Sequence, residues 1–375
     1  MKEFQDIFDE KVVEYLKKNN ISSPTTIQQE AIPALLENKN IFFSSHTGSG
    51  KTYTYLLPMI KTYDVNIKTP QAIVIAPTQD LAIQIFNVAK DLFKSLNLPE
   101  PILACGGTSL NRQIEGLKTK PSLVIGTTTR ILQLNDMKKL KLHTVKTIVF
   151  DECDKMLDKL NIDETKSLIK KCLRDTSLVF TSASVGNDTL ENIKTLRENV
   201  ELIEVSKNNV PTSIEHYFLV CDTRKKVDLL RKAFHAFKAD RALVFINKDV
   251  EITSLSAKFE YNNLEATFID GELKGFERKK ALQDFKTSKV KLLVASDLAS
   301  RGLDIKNLTY VFNFSAPHTY EQYLHRCGRC GRNNTKGIVL TICDTRELSL
   351  IKKYESKLNI DIKEINLHGG EVIVK

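Results

Sequence analysis

Tryptophan is missing from the 375 residues, and the 18 Phe fall mostly in strand-like or helical apolar stretches. Few aromatic platforms are therefore free to stack on bases, so a nucleic-acid partner would be gripped by its backbone, with little sequence specificity. Long apolar runs are missing too. None approaches the ~18 residues that span a bilayer, and no membrane partner is expected. The polar start Met1-Lys-Glu-Phe-Gln-Asp6 lacks a secretory apolar region. The seven scattered cysteines, odd in number, suit a reducing cytoplasmic setting better than a disulfide framework. Cys327 and Cys330 have Cys-x-x-Cys spacing but no second pair nearby, so zinc or redox chemistry is not expected there.

What is present is basic charge and alternation. A formal net charge of +9 favours an anionic partner, although Lys-rich solubility explains it equally well on its own. Short apolar runs recur at Ile41-Phe-Phe43, Ala72–Ile75, Ser122–Ile125, Thr147–Phe150 and Ser177–Phe180, then at Ala242–Ile246, Lys291–Val294 and Gly337–Leu340. Polar, amphipathic segments of helical length separate them, a pattern that predicts mostly parallel α/β sheets covered on both faces. The polar, Pro-containing stretch Ser206–Thr212 divides two sets of strands. The expected organisation is an N-terminal domain over 1–206, a linker over 207–212 and a C-terminal domain over 213–375.

Ser45-His-Thr-Gly-Ser-Gly-Lys-Thr52 follows the first apolar run, in the strand–loop–helix context of a phosphate-binding loop. Ser45 stands where the strict pattern has its first Gly. Thr47, Gly48, Ser49 and Gly50 would wrap phosphate oxygens with backbone N–H groups, Lys51 would reach the β/γ-phosphates and Thr52 would hold Mg²⁺. Asp151-Glu152-Cys153-Asp154 follows the Thr147–Phe150 strand, which delivers carboxylates to the sheet edge where α/β proteins bind ligands. Asp151 would complete the Mg²⁺ site, and Glu152 would orient and deprotonate an attacking water. Late in the chain, His325-Arg-Cys-Gly-Arg-Cys-Gly-Arg332 repeats Arg every third residue, a spacing suited to phosphate.

On these motifs the chain resembles the DEAD-box ATP-dependent RNA helicases of superfamily 2, with Cys153 in place of the usual Ala. The resemblance covers nearly the whole chain. It implies two tandem RecA-like α/β domains that bind ATP and Mg²⁺ and lay single-stranded RNA across both. It further implies that they unwind short duplexes or remodel RNA–protein complexes, and hydrolyse ATP for release. Pro24-Thr-Thr-Ile-Gln28 resembles the adenine-reading motif, with Gln28 on the base edge and Phe4 stacking on the ring, Phe8 being the fallback. Pro77, Thr78, Gly106, Gly107 and Thr127, with Arg130, match RNA-contacting motifs of the first domain; Arg278 and Ser296 match those of the second. Asp304 implies ribose binding, and Arg329 and Arg332 imply arginine fingers on the γ-phosphate. Asp154, Ser182, Ser184, His325 and Arg326 resemble residues that couple the two sites.

Departures fall mainly on the RNA side: Gln79 for a usual Arg, Gly275 for Gln, and Thr128-Thr129 for Pro-Gly. Intact ATP chemistry with an altered RNA grip is therefore expected. Alternatives are an ATP-gated RNA clamp or assembly platform with very slow hydrolysis, and a DNA-directed superfamily 2 helicase. The intact Lys51, Asp151, Glu152, Arg329 and Arg332 set argues against an inactive scaffold. No Arg-Gly repeat, zinc knuckle or folded RNA-binding appendage flanks the core, so a monomer targeted by protein partners, if by anything, is expected. The stretch Asn366-Leu-His-Gly-Gly-Glu-Val372 reads as a last strand or turn.

Overall fold

The computed structural model describes the chain apart from residues 1–2, 46–47, 184, 205–209, 248–249, 270–272, 274, 298, 300–304, 306–307 and 332–334. The chain forms two compact units, divided between residues 206 and 207. Of the expected linker, residues 207–209 lie outside the described residues.

In the first unit, β1 (Ile41–Ser44), β2 (Ala72–Ile75), β3 (Ile102–Ala104), β4 (Leu123–Gly126), β5 (Thr147–Phe150), β6 (Ser177–Ser182) and β7 (Glu201–Glu204) build one sheet in the order β3-β4-β2-β5-β6-β1-β7. Every pairing is parallel. Successive side chains of a strand point to opposite faces, so each central strand feeds two cores. Val74 and Val149 pack with the helices on one face, whereas Ile73, Ile75, Ile148 and Phe150 pack on the other. Burial on both faces is why these strands read as unbroken apolar runs.

The second unit repeats the plan with β8 (Ile214–Val220), β9 (Ala242–Ile246), β10 (Ala266–Ile269), β11 (Leu292–Ser296), β12 (Tyr310–Asn313), β13 (Gly337–Cys343), β14 (Ile362–His368) and β15 (Glu371–Val374). Their order is β10-β11-β9-β12-β13-β8-β14-β15. All pairs are parallel except β14 with β15. These two join through Gly369 and Gly370, both at positive φ, the backbone that a two-residue hairpin turn of matching twist requires. The C-terminal stretch is thus a hairpin.

Sheet order decides which motifs meet. In the first unit, β5, β6 and β1 are neighbours and so are β3, β4 and β2, so two groups of strand ends line one edge.

Candidate functional site

The β5-β6-β1 half of the edge gathers the phosphate-loop and acidic motifs. The loop after β1 leads into the helix Lys51–Lys61, whose N-cap Gly50 is left-handed at φ +90°. A Cβ on Gly50 would lie 2.6 Å from Gln28 Nε2, so glycine is needed here both for conformation and for close approach. Three tethers shape the loop: Thr25 Oγ1 donates to the Ser49 carbonyl at 2.8 Å, Gln28 Nε2 to the Gly50 carbonyl at 3.2 Å, and Ser45 N to the Ser182 carbonyl at 3.3 Å. Lys51 Nζ donates to the Ser45 carbonyl. The hydroxyls of Ser45 and Ser49 share a hydrogen bond, which accounts for a side chain at position 45.

Asp151 lies at the end of β5 and is 5% exposed. Its Oδ2 accepts from the Tyr55 hydroxyl at 2.9 Å, and its Oδ1 accepts from the Thr181 hydroxyl at 2.5 Å and from Glu152 N at 3.0 Å. All three donors are neutral. A carboxylate offers about four lone-pair positions, so one on Oδ2 remains for a cation or its water. Tyr55 also hydrogen-bonds Thr52 and thereby brings the Thr52 hydroxyl beside this carboxylate; burial first, then the Asp151 charge, raises its phenol pKa well above the ordinary value. Glu152 occupies the left-handed region at φ 51° and caps the next helix, a conformation that a non-glycine residue adopts at a local cost and that clusters at functional sites. Burial, followed by the charges of Asp154 and Asp151, holds the Cys153 thiol protonated, so it acts as a small buried residue. Ser182 Oγ donates to Asp154 Oδ1 at 3.0 Å, joining β6 to the acidic motif.

The β3-β4-β2 half gathers the other motifs of this unit. Thr78 caps the helix Gln79–Ser95 through Leu81 N at 3.3 Å, and Thr127 occupies the N-terminal cap position of the helix Thr128–Asp136 without a side-chain bond to it. Thr128 opens that helix without the usual proline. Gly106 and Gly107 follow β3, and a Cβ on either would lie 2.5 or 2.8 Å from the Gln79 amide. Gln79 thus lies against the glycine loop.

In the second unit, Arg278 Nη2 donates to the Ala299 carbonyl at 2.7 Å, while Ser296 Oγ accepts from Ala299 N at 3.3 Å. Ala299 thus joins these two residues. His325 and Arg329 are half-buried at the end of the helix Tyr320–Cys327. Cys327 and Cys330 pack in this unit's core. Thr47, Ser184, Asp304 and Arg332 lie outside the described residues.

Two expectations need correction. Phe4 and Phe8 are packed in the first unit's core, with Phe4 2% exposed; neither presents a free ring face to a base. Arg326 reads in sequence as a coupling residue, but its guanidinium is fully buried and its bonds are internal to the second unit. It donates to both Asp297 oxygens at 2.7 Å, to Asn313 Oδ1 at 3.3 Å, to the Ser315 carbonyl at 2.8 Å and to Asn247 Oδ1 at 2.8 Å. Those five bonds use every N–H of the group, and its Cζ lies over the Phe245 ring, 5.0 Å from the centroid. Arg326 stitches together the ends of β11, β9 and β12.

Sequence reasoning passed over Thr25, Tyr55, Thr181, Asn247 and Asp297. Thr25 lies inside the Pro24–Gln28 motif, Asp297 follows Ser296, Thr181 adjoins Ser182, and Tyr55 is one helical turn after Lys51; Asn247 carried no signal. Among the described residues, no group of three His, Cys, Asp or Glu is arranged to hold a metal, and no helix is long and apolar enough to cross a membrane.

Residues 25–193 match the DEAD/DEAH box helicase family, and residues 225–334 match the helicase conserved C-terminal domain. The chain is 32% identical over 357 residues to the DEAD-box ATP-dependent RNA helicase CshC of Bacillus cereus, covering 95% of this chain and 91% of that protein. It is 34% identical over 358 residues to the Probable ATP-dependent RNA helicase YfmL of Bacillus subtilis, covering 95% and 94%. Among solved structures it is similar to S. cerevisiae Dbp5 bound to RNA and ADP BeF3, with a TM-score of 0.87, 25% identity, and coverage of 97% and 95%.

Proposed function

Because the chain belongs to the DEAD-box ATP-dependent RNA helicases, we propose that it binds single-stranded RNA in an ATP-dependent manner, opens short duplexes or remodels RNA–protein complexes, and hydrolyses ATP to let go. The observation that best supports this is the β5-β6-β1 edge. There a phosphate loop leads into Lys51 at a helix N-terminus, and Tyr55 ties the adjoining Thr52 hydroxyl to the Asp151 carboxylate.

In this reading the amides around Gly48 to Gly50 and the Lys51 ammonium hold the phosphates, the helix N-terminus adding its positive end. Among the described residues the Gln28 carbonyl accepts from Thr25 N and its NH₂ donates to Gly50, which leaves one position at each end of the amide; those positions read the adenine edge. Thr52 and Asp151 are hard oxygen donors that suit Mg²⁺, an ion usually bound through one or two carboxylates plus substrate phosphates. When bound, Mg²⁺ supplies neutralisation of charge on the β/γ-phosphate oxygens. Glu152 orients the attacking water. Arg329 and Arg332 counter the negative charge of the transition state, and Asp304 holds the ribose.

RNA is gripped through Pro77, Thr78, Gly106, Gly107, Thr127, Arg278 and Ser296. Asp154, Ser182, Ser184 and His325 link RNA binding to ATP, so that each ligand favours the other. The protein works in the cytoplasm as a monomer, with protein partners for targeting; seven free thiols support a reducing setting. The test is the steady-state ATPase rate with single-stranded RNA against DNA of the same sequence, because the 2′-OH separates the two. RNA is expected to stimulate and DNA not; equal stimulation by DNA would remove the RNA assignment.

A further inference from the structure

Gln113 has no part in the reading above, yet it is only 5% exposed and ties together two of the segments assigned to RNA. Its Nε2 donates to the Cys105 carbonyl at 2.8 Å and to the Thr108 hydroxyl, while its Oε1 accepts from Arg130 Nη1 at 3.0 Å. Cys105 and Thr108 flank the Gly106–Gly107 pair, and the Thr108 hydroxyl donates back to the Cys105 carbonyl at 3.2 Å. Glycines have no side chain to fix their loop, and Gly107 is left-handed at φ +69°, so the loop takes its shape from those flanks.

We propose that Gln113 is a positioning residue for RNA binding, which sets the Gly106–Gly107 loop and the Arg130 guanidinium in one fixed phosphate cradle. The inference rests on assigning the β3-β4-β2 edge to RNA. The amide suits this task because it presents a donor to a carbonyl and an acceptor to a guanidinium from one rigid plane. It is also neutral. A carboxylate at this position would orient Arg130 equally well but cancel the charge that a phosphate needs; an amide orients it and leaves the charge in force. Arg112, next in sequence, is exposed, so the burial of Gln113 is specific to its position on the helix Leu110–Lys118.

The experiment is binding of a labelled single-stranded RNA in the presence of a non-hydrolysable ATP analogue, measured across salt concentrations, with RNA-free ATPase as a control. Arg130→Ala and Gln113→Leu should each weaken RNA binding by ~10-fold, the scale of one charge-assisted phosphate contact. In Gln113→Leu, RNA-free ATPase and the KM for ATP should not change. In the Arg130→Ala background Gln113→Leu should add less than ~2-fold, because coupled residues are non-additive. Gln113→Glu, which keeps a partner for Arg130 and so guards against loss of folding, should also weaken binding and make its salt dependence shallower, by ~0.7 in log–log slope for one lost phosphate contact on a single strand. Wild-type affinity in Gln113→Leu or Gln113→Glu alongside weakened Arg130→Ala overturns the positioning role. Wild-type affinity in Arg130→Ala instead removes the RNA assignment of this edge.

Discussion

Asp151 and Arg326 are both buried ions at the C-terminal edge of a parallel sheet, and the two units hold them in opposite ways. Asp151 is surrounded by neutral donors from Tyr55, Thr181 and the backbone. Arg326 is clasped by both oxygens of Asp297 and has every N–H used. An ion positioned by dipoles keeps its field for a ligand, whereas an ion positioned by a counter-ion has spent it within the fold. By that criterion we assign Asp151 to the chemistry and Arg326 to the scaffold, and Arg130, oriented by a neutral amide, groups with Asp151. Three residues after Arg326, Arg329 lies beyond the helix end at Cys327, so equal spacing does not give the two arginines the same surroundings.

Four perturbations break or sharpen this contrast, the strongest first. Arg329→Ala should lower RNA-stimulated ATP turnover by ~10³-fold or more while ATP binding changes little, as read by steady-state kinetics beside nucleotide titration. Arg326→Ala should instead strike stability: removing one partner of a buried pair costs about 3–5 kcal/mol, seen as a lower urea midpoint for the second unit. A stable, folded Arg326→Ala protein with a purely catalytic defect would erase the distinction between the two arginines.

His216 offers a third way to bury a titratable group, which is to shed the charge. It is 6% exposed with Nδ1 2.9 Å from the Tyr323 hydroxyl, and burial lowers its pKa from 6.5 to about 4. The unfolded chain therefore takes up a proton near pH 6.5 that the native state refuses until about pH 4. Stability should fall by ~3 kcal/mol as pH drops through that window, and His216→Gln should flatten the profile in urea melts. The smallest effect is expected from Cys153→Ala. With a protonated, enclosed thiol, it should cost ~1 kcal/mol or less and leave ATPase turnover at the wild-type level.

Much of this was legible in sequence where one signal dominated. Strands β2, β5 and β9 match their apolar runs residue for residue because both of their faces are buried. Strand β7, with Glu at both ends and mostly exposed, and β3, three residues long, carry no such run; sheet pairing alone defines them. The phosphate loop and acidic motif announced themselves because glycine, lysine and paired carboxylates are demanded at fixed spacing. Arg326 was not legible, because equal spacing of Arg326 and Arg329 says nothing about a helix that stops between them. Gln113 sits among polar residues of an amphipathic helix and looks like part of a solvated face until its partners on two other segments are seen. Phe4 shows the converse: an aromatic at a suggestive position proved to be core.

The contrast between the two edges reduces most directly to Asp151→Asn. The amide keeps acceptors for Thr181 and Glu152 N and can donate to Tyr55, so packing is preserved while the negative charge is lost. RNA-stimulated ATP turnover, measured with the unfolding midpoint of the same sample, should fall by at least ~10³-fold with the midpoint unchanged. Turnover at the wild-type rate, or a loss explained by unfolding, would contradict the assignment of Asp151 to the chemistry.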